Sequence, residues 1–564
     1  MRRLPHVLSA AVIASSVLAG TFALAPSAGA ADNGVERTPV LGWSSWSFLR
    51  DQPTAGKIEA QASALRASGL ERMGYRYVNL DDFWYQCPGS QGPDVDANGL
   101  WVTDPTRFPP SGGNNGIKVV ADYVHSLGLK FGIYLTPGIS AQAVAQHSRI
   151  AGTGYTADQI AEPAVSQNNY NCGGMDGIDY SKPGAQAYTN SWADLLASWG
   201  VDYLKFDGVT DANTADIKAW SAALRQTGRP MVLNITQGDY DTAIAPTLMN
   251  YANQWEFAPD IECYDCEQGD NSYPLTSWND VSNRFDYVAK WQPYAGPGGF
   301  NDYDSIEVGN GADDGITPVE RETQLSLWAL GASPLILGVD LTHLDSGDLA
   351  DLHNADVLAV DQDSIAAKRV VNTGTEQVFT KTEPGGDTIV GLFNTGNAAQ
   401  VVSVSARKAG LPPASRYHLD DLWTHQVTDS GATIAATVPA HGVALYRITG
   451  WCWRTGYRAG ECSADRRHLL PPAAVRRARS DDRHGGRFVG HGGAGGVHGA
   501  EQGDQARVRV QDVHEVRYGR VLGEGKENRS DQGEPAERFA RRAVHDDGRP
   551  VIGDRVDLAA EDAQ

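Results

Sequence analysis

Acidic side chains gather where apolar runs of this chain stop. Asp81-Asp82 closes Tyr77-Val78-Asn79-Leu80, and Lys205 and Asp207 sit within Asp202-Tyr203-Leu204-Lys205-Phe206-Asp207. Asp260 follows Trp255-Glu256-Phe257-Ala258-Pro259, while Asp302 and Asp304 end the run from Gly298. A single acid in such a place commonly caps a helix or bonds a loop. Four such places converging on one pocket are different, because like charges repel unless the pocket uses them. No Ser/His pair and no histidines at metal-ligand spacing accompany them. Two carboxylates facing one pocket therefore point to glycoside hydrolysis. One attacks the anomeric carbon or activates water, and the other protonates the departing oxygen. That chemistry requires no cofactor and no metal. Cys263-Tyr264-Asp265-Cys266 has the spacing of half a zinc site or a redox motif, but no second CxxC or His pair completes it.

The elements that would position these acids follow from hydrophobic patterning. Strands are expected at Tyr77–Leu80, Leu129–Leu135, Val201–Phe206, Met231–Asn234 and Pro334–Gly338. Amphipathic helical stretches lie between them at Lys57–Met73, Ile117–Leu127, Ala185–Trp199 and Val319–Ala332. Strand-then-helix alternation over roughly 320 residues implies a parallel α/β sheet, and that length suits a (β/α)8 TIM barrel. A doubly wound open sheet is the alternative, but no glycine-rich dinucleotide loop follows the first strand. In a barrel, residues at the C-terminal strand ends build the active site, and that is where the acids fall. Beyond the barrel, Val370–Val378, Thr388–Phe393, Val401–Val404 and Val443–Ile448 are short β-rich runs separated by turn residues. They predict a small antiparallel β-sandwich.

The chain divides into residues 1–30 as a signal peptide, 31–362 as the barrel, 363–449 as the sandwich and 450–564 as a tail. Arg2 and Arg3, the apolar run Val7–Leu24 and Ala28-Gly29-Ala30 are the parts of a cleavable secretion signal. Four cysteines in the body, Cys87, Cys172, Cys263 and Cys266, suggest two disulfides in an oxidising, extracellular setting, with the pairing open. Residues 31–450 carry 25 Lys and Arg against 50 Asp and Glu. That acidity argues against nucleic acid and anionic membranes as partners. The sequence leaves the oligomeric state open. After about Gly450 hydrophobic periodicity vanishes and Arg outnumbers Lys 19 to 1. This segment is either a disordered tail or, the preferred reading, a GC-rich gene read out of frame.

From about Thr38 to Thr449 the chain resembles glycoside hydrolase family 27, the α-galactosidase or melibiase group. The resemblance rests on Pro39–Trp46, Tyr77–Trp84, Gly128–Tyr134, Asp202–Gly208, Gly298–Asp304 and Glu307–Gly311. It implies a retaining exo-glycosidase acting on terminal α-D-galactosyl residues of oligo- or polysaccharides. Asp207 would be the nucleophile and Asp260 the acid/base, with their carboxyl groups about 5–5.5 Å apart. Asp81 and Asp82 would bind the sugar's 4- and 6-hydroxyls. Lys205 would reach the 3- and 4-hydroxyls and help keep Asp207 ionised, its structural alternative being an ion pair. Trp46 would line the apolar sugar face. Tyr134, Asn234, Glu256 and Asp304 complete the expected substrate-binding set.

The resemblance breaks on one side of the sugar. The family's usual Cys-Glu-Trp after the fifth strand is replaced within Leu233-Asn234-Ile235-Thr236-Gln237, and its usual Arg after the sixth-strand Trp by Glu256. Both expected partners of the 2-hydroxyl are changed. The resemblance therefore also admits sister specificities: an α-N-acetylgalactosaminidase, a β-L-arabinopyranosidase or an isomalto-dextranase. A non-catalytic carbohydrate-binding barrel is the rival from another class. Val209 and Phe83 replace family cysteines, so the disulfides must be arranged differently.

Overall fold

A computed structural model describes residues 33–167, 169–236, 241–266 and 272–451. The expected signal peptide (1–30) lies outside the described residues, as does the expected tail beyond residue 451.

Eight parallel strands form the central sheet: β1 (Leu41–Ser44), β2 (Tyr75–Leu80), β3 (Lys130–Leu135), β4 (Tyr203–Asp207), β5 (Val232–Thr236), β6 (Gln254–Glu256), β7 (Phe300–Asp302) and β8 (Leu335–Leu337). Their order is β7-β6-β5-β4-β3-β2-β1-β8. The strands are nearly all buried because helices cover one face and packed side chains fill the other. Between β7 and β8 the ladder reduces to one residue. Ile306 donates from its backbone N–H to Ile336 O at 2.7 Å and accepts from Gly338 N–H at 3.1 Å. A Cβ on Gly338 would stand 2.3 Å from Glu307 Oε1 and 2.4 Å from Ser47 Oγ, so only glycine lets the strand pass there.

The crossovers are helices α1 (Ala55–Ala67), α2 (Gly116–Ser126), α3 (Ala185–Trp199), α4 (Thr214–Gln226), α5 (Ala245–Tyr251), α6 (Trp278–Trp291) and α7 (Pro318–Gly331). Their starts are set locally. Thr54 caps α1 by accepting from Lys57 N–H, and Asn115 caps α2 by accepting from Ile117 N–H. Thr317 and Glu320 form a capping box around Pro318 at the head of α7. α7 is buried on most of its surface, Thr323, Gln324 and Ser326 included. It lies between the barrel and the sandwich. Thr323 donates to His441 O at 2.7 Å and Trp423 Nε1 donates to Ser326 Oγ at 2.9 Å.

The sandwich comprises β9 (Lys368–Thr373), β10 (Glu376–Thr382), β11 (Thr388–Asn394), β12 (Gln400–Ser405), β13 (Arg416–Asp421), β14 (Val427–Ser430), β15 (Thr433–Val438) and β16 (Val443–Trp451). Six strands run β9-β10-β11-β16-β13-β14, all antiparallel, and β12 pairs with β15. The run expected from Val370 to Val378 is two strands, turned at Gly374 with φ 72°. Three strands, β13 to β15, have no counterpart in the sequence reading. The loop after β3 also holds a small sheet of Ile139–Ser140, Ala161–Gln167 and Met175–Ile178. Cys87 bonds Cys172, tying the loop after β2 to this insertion, and Cys263 bonds Cys266. No helix among the described residues is long and apolar enough to cross a membrane.

Candidate active site

Strand register sets the site. Lys205 on β4 lies beside Asn234 on β5, and one pleat further Asp207 lies beside Thr236. On the next pair Asp302 lies beside Glu256. Side chains two residues apart share a face, so these inward residues stack as layers toward the C-terminal mouth. The mouth opens into a cavity of about 290 Å³. Its walls include Trp46, Asp81, Asp82, Tyr134, Lys205, Asp207, Glu256, Asp260 and Asp304. Nine of the ten expected site residues thus meet in one pocket. Asn234 is the exception. It lies one layer down, donating to Gln254 Oε1 at 2.9 Å and Asp302 Oδ2 at 2.7 Å while accepting from Thr236.

The pocket's electrostatics are lopsided: seven carboxylates line it, with Lys205 as the one cation among the lining residues. Lys205 Nζ donates to Asp81 Oδ2 at 2.9 Å. Burial alone would lower the lysine, but Asp81, Asp207 and Glu256 hold it well above its ordinary value, so it stays charged. Asp81 is otherwise committed to the protein, accepting from Ser44, Asn79 and the Asp82 N–H. Asp82 differs. Its Oδ1 accepts from Tyr85 OH at 2.6 Å and Phe83 N–H at 2.7 Å, while Oδ2 is buried without a partner. Burial pushes Asp82 up to about 7. Phe83 holds φ at 68°, a strained value for a bulky residue, at the turn that sets this carboxylate. Tyr134 OH is likewise buried with no partner. Both atoms are ready for a ligand hydroxyl, since a buried polar group is costly to leave unpaired.

Asp207 accepts from its neighbour's backbone, Gly208 N–H, at 2.7 Å. Burial raises it to about 7 despite the charge of Lys205, with Asp81 and Asp260 adding to the rise. Asp260 stands at the exposed rim, four residues past β6. Desolvation along its inner side, and next the charge of Asp304, raise it above its ordinary value. Tyr264 OH donates to Asp260 Oδ2 at 2.6 Å and accepts from Trp46 Nε1 at 2.8 Å. Asp304, at φ 74°, accepts from Ile261 N–H at 2.7 Å and so pins the chain beside Asp260. Glu256 is buried, at 4% exposure, and burial, with the charges of Asp304 and Asp302 next, raises it well above its ordinary value. Glu256, Asp260 and Asp304 offer oxygens all within 4.8 Å of one another, near enough to hold a cation between them.

Besides Thr236, read only as part of the altered stretch after the fifth strand, three lining residues lie outside the expected site set: Tyr264, Glu262 and Tyr170. Glu262 accepts from Ser47 Oγ at 2.6 Å, lies 3.6 Å from Arg50, and is pushed up to about 8 by burial. Only Glu262 carried a local signal, as an acid two residues beyond Asp260.

Residues 38–161 and 170–363 match the family model described as alpha galactosidase A. Residues 373–448 match that of the alpha galactosidase C-terminal beta sandwich domain. The α-galactosidase of Cyamopsis tetragonoloba is 30% identical over 427 residues, spanning 74% of this chain and 88% of that one. Among solved structures, a family 27 β-L-arabinopyranosidase from Geobacillus stearothermophilus is 29% identical. It has a TM-score of 0.66 and covers 73% of this chain and 96% of its own. α-Galactosidase I from Mortierella vinacea is 27% identical at a TM-score of 0.58, over 74% and 98%.

Proposed function

The chain belongs to the α-galactosidase (melibiase) family, glycoside hydrolase family 27, and on that footing we propose that it is a retaining exo-glycosidase releasing terminal α-D-galactosyl residues. The observation that carries this is the meeting of Asp207 and Asp260 in one pocket with the unpaired Oδ2 of Asp82. Asp207 attacks the anomeric carbon as the C–O bond breaks, and Asp260 gives its proton to the departing oxygen. A covalent glycosyl-enzyme results. Asp260, now ionised, takes a proton from water, which attacks the same carbon and frees Asp207. Asp82 Oδ2 accepts from a sugar hydroxyl. Lys205, held on Asp81, presents its remaining N–H groups to the ring, and Trp46 faces the sugar's apolar side.

Thr236 at the end of β5 and Glu256 at the end of β6 line the pocket on the side between Asp207 on β4 and Asp260 in the loop after β6. This side meets the group next to the anomeric carbon. Its composition favours a second reading, in which the sugar is one of the family's sister substrates. The enzyme is also proposed to be exported. The leader-like residues 1–30 and the two disulfides support this, and the N-terminal sequence of the exported protein tests it.

The test is a panel of p-nitrophenyl glycosides (α-galactoside, α-N-acetylgalactosaminide, β-L-arabinopyranoside, α-glucoside) together with isomalto-oligosaccharides. The anomer first released is read by NMR. Preference for the α-galactoside with α-galactose as first product is expected. Preference for another sugar moves the enzyme to a sister specificity. First release of β-galactose overturns the retaining mechanism.

A further inference from the structure

We propose that Tyr264 is the positioning residue for the acid/base: it occupies one oxygen of Asp260, so that the proton is delivered from the other. This rests on the reading of Asp260 as acid/base. Tyr264 OH donates to Asp260 Oδ2 at 2.6 Å. The Tyr264 hydroxyl oxygen in turn accepts from Trp46 Nε1 at 2.8 Å, which sets the direction of its own hydrogen. A hydroxyl fixed by an incoming donor has one O–H to give, and that O–H goes to Asp260. With Oδ2 taken, Oδ1 is left to carry the proton toward the glycosidic oxygen.

Tyr264 is itself held firmly. It lies between Cys263 and Cys266, which are disulfide-bonded, and Cys266 N–H closes the turn on Cys263 O at 2.9 Å. The Arg50 guanidinium lies over the Tyr264 ring, 4.9 Å from its centroid, and is 3.6 Å from Glu262. Trp46 and Arg50 come from the loop after β1, whereas Tyr264 and Asp260 come from the loop after β6. The contact therefore joins two walls of the pocket. One hydrogen-bonded chain, Trp46 to Tyr264 to Asp260, thus links the wall that meets the sugar's apolar side to the group that protonates its leaving oxygen.

Asp260 is also faced by Asp304, Glu256, Asp207 and Glu262 as like charges, and by Lys205 and Arg284 as opposite ones. Within that field, Tyr264 is the side chain that donates a hydrogen bond to the Asp260 carboxylate. Such a bond favours the ionised form, which is the form needed when water attacks the glycosyl-enzyme.

Tyr264→Phe keeps the ring and deletes the hydroxyl. For p-nitrophenyl and alkyl galactosides, whose leaving groups need the proton, kcat/KM is expected to fall about 10- to 100-fold. For 2,4-dinitrophenyl galactoside kcat/KM is expected to hold while kcat falls, because the base step limits turnover. The alkaline limb of the kcat/KM profile is expected to move to higher pH, since Asp260 loses a donor to its charged form. Trp46→Phe, which removes the donor behind Tyr264, is expected to move the limb the same way by less. Equal losses on all three substrates with an unmoved limb would mark Tyr264 as merely structural and overturn the proposal, as would unchanged kinetics. Asp260→Ala is run alongside. If it too shows no dependence on leaving group, the acid/base reading itself fails. If it does and Tyr264→Phe does not, only the positioning role is lost.

Discussion

Replacing Asp207 by Asn removes the proposed nucleophile and also a carboxylate that the fold holds at a cost. Burial raises its pKa from 3.8 to about 7, against the pull of Lys205. In the unfolded chain it titrates near its ordinary value. The folded state therefore keeps a proton that the unfolded state gives up. The associated stability is fully present below the unfolded value and is lost as pH rises through about 7. Each pH unit between the two values is worth about 1.36 kcal/mol, which gives about 4 kcal/mol at pH 8. Water in the open pocket screens part of that, leaving roughly 2 to 4 kcal/mol. Asn cannot ionise. Asp207→Asn is thus expected to be more stable than wild type by that amount at pH 8, and nearly equal to it at pH 4. Its kcat should fall by about 10⁴-fold or more. Urea unfolding at a series of pH values, followed by tryptophan fluorescence, measures the difference. A variant no more stable at pH 8 than wild type, or one whose gain does not change with pH, refutes the electrostatic reasoning. Wild-type turnover in the variant refutes the assignment of the nucleophile.

Asp260→Ala should lose activity on poor leaving groups far more than on activated ones, and azide should restore part of the loss as a glycosyl azide product detected by chromatography. The acid limb of the kcat/KM profile should lie near pH 7, where Asp207 ionises; an acid limb below pH 5 contradicts the environment described for Asp207. Exchanging Thr236→Glu and Glu256→Arg together should raise discrimination between α-galactoside and 2-deoxy-α-galactoside by about 10-fold or more, because a group built to bond a hydroxyl rejects a sugar lacking it. The Cys87→Ser, Cys172→Ser double variant should lose about 3 to 4 kcal/mol in chemical denaturation, from opening a closure of 85 residues.

Much of the barrel is written in the chain because its strands are buried on both faces and its helices are amphipathic. Ala185–Trp199 has the expected bounds, and Ile117–Leu127 differs by a residue at each end. The acids at the strand ends were legible as a set: one carboxylate closing an apolar run has a routine explanation as a cap, but four converging on one mouth repel unless the pocket uses them. Asn234 shows the limit. Period-two alternation puts it on the inward face with Thr236 but does not say which layer reaches the mouth. Strands β13 to β15 escaped because they are partly solvent-facing and polar, as in Arg416–Asp421 and Val427–Ser430. Tyr264 could not be read at all. Its importance depends on Trp46, 218 positions away, and only the folded loops bring them together.

The seam of the barrel has a consequence for how the molecule comes apart. Elsewhere neighbouring strands share ladders of at least two residue pairs, but among the described residues β7 and β8 are joined by backbone pairing at Ile306 alone. Side chains reinforce the region: Trp328 Nε1 donates to Asp304 O at 2.8 Å, and Trp43 Nε1 to Val339 O at 2.7 Å. A cylinder with one lightly bonded joint opens there first, so the amides of Ile306 and Gly338 should exchange with deuterium sooner than those at the centre of β4. The joint adjoins Asp302 and Asp304, so native-state breathing would reach the catalytic mouth from this side before any other. A chain recut between β7 and β8, with its old ends linked, would place its new termini where the cylinder is already least continuous.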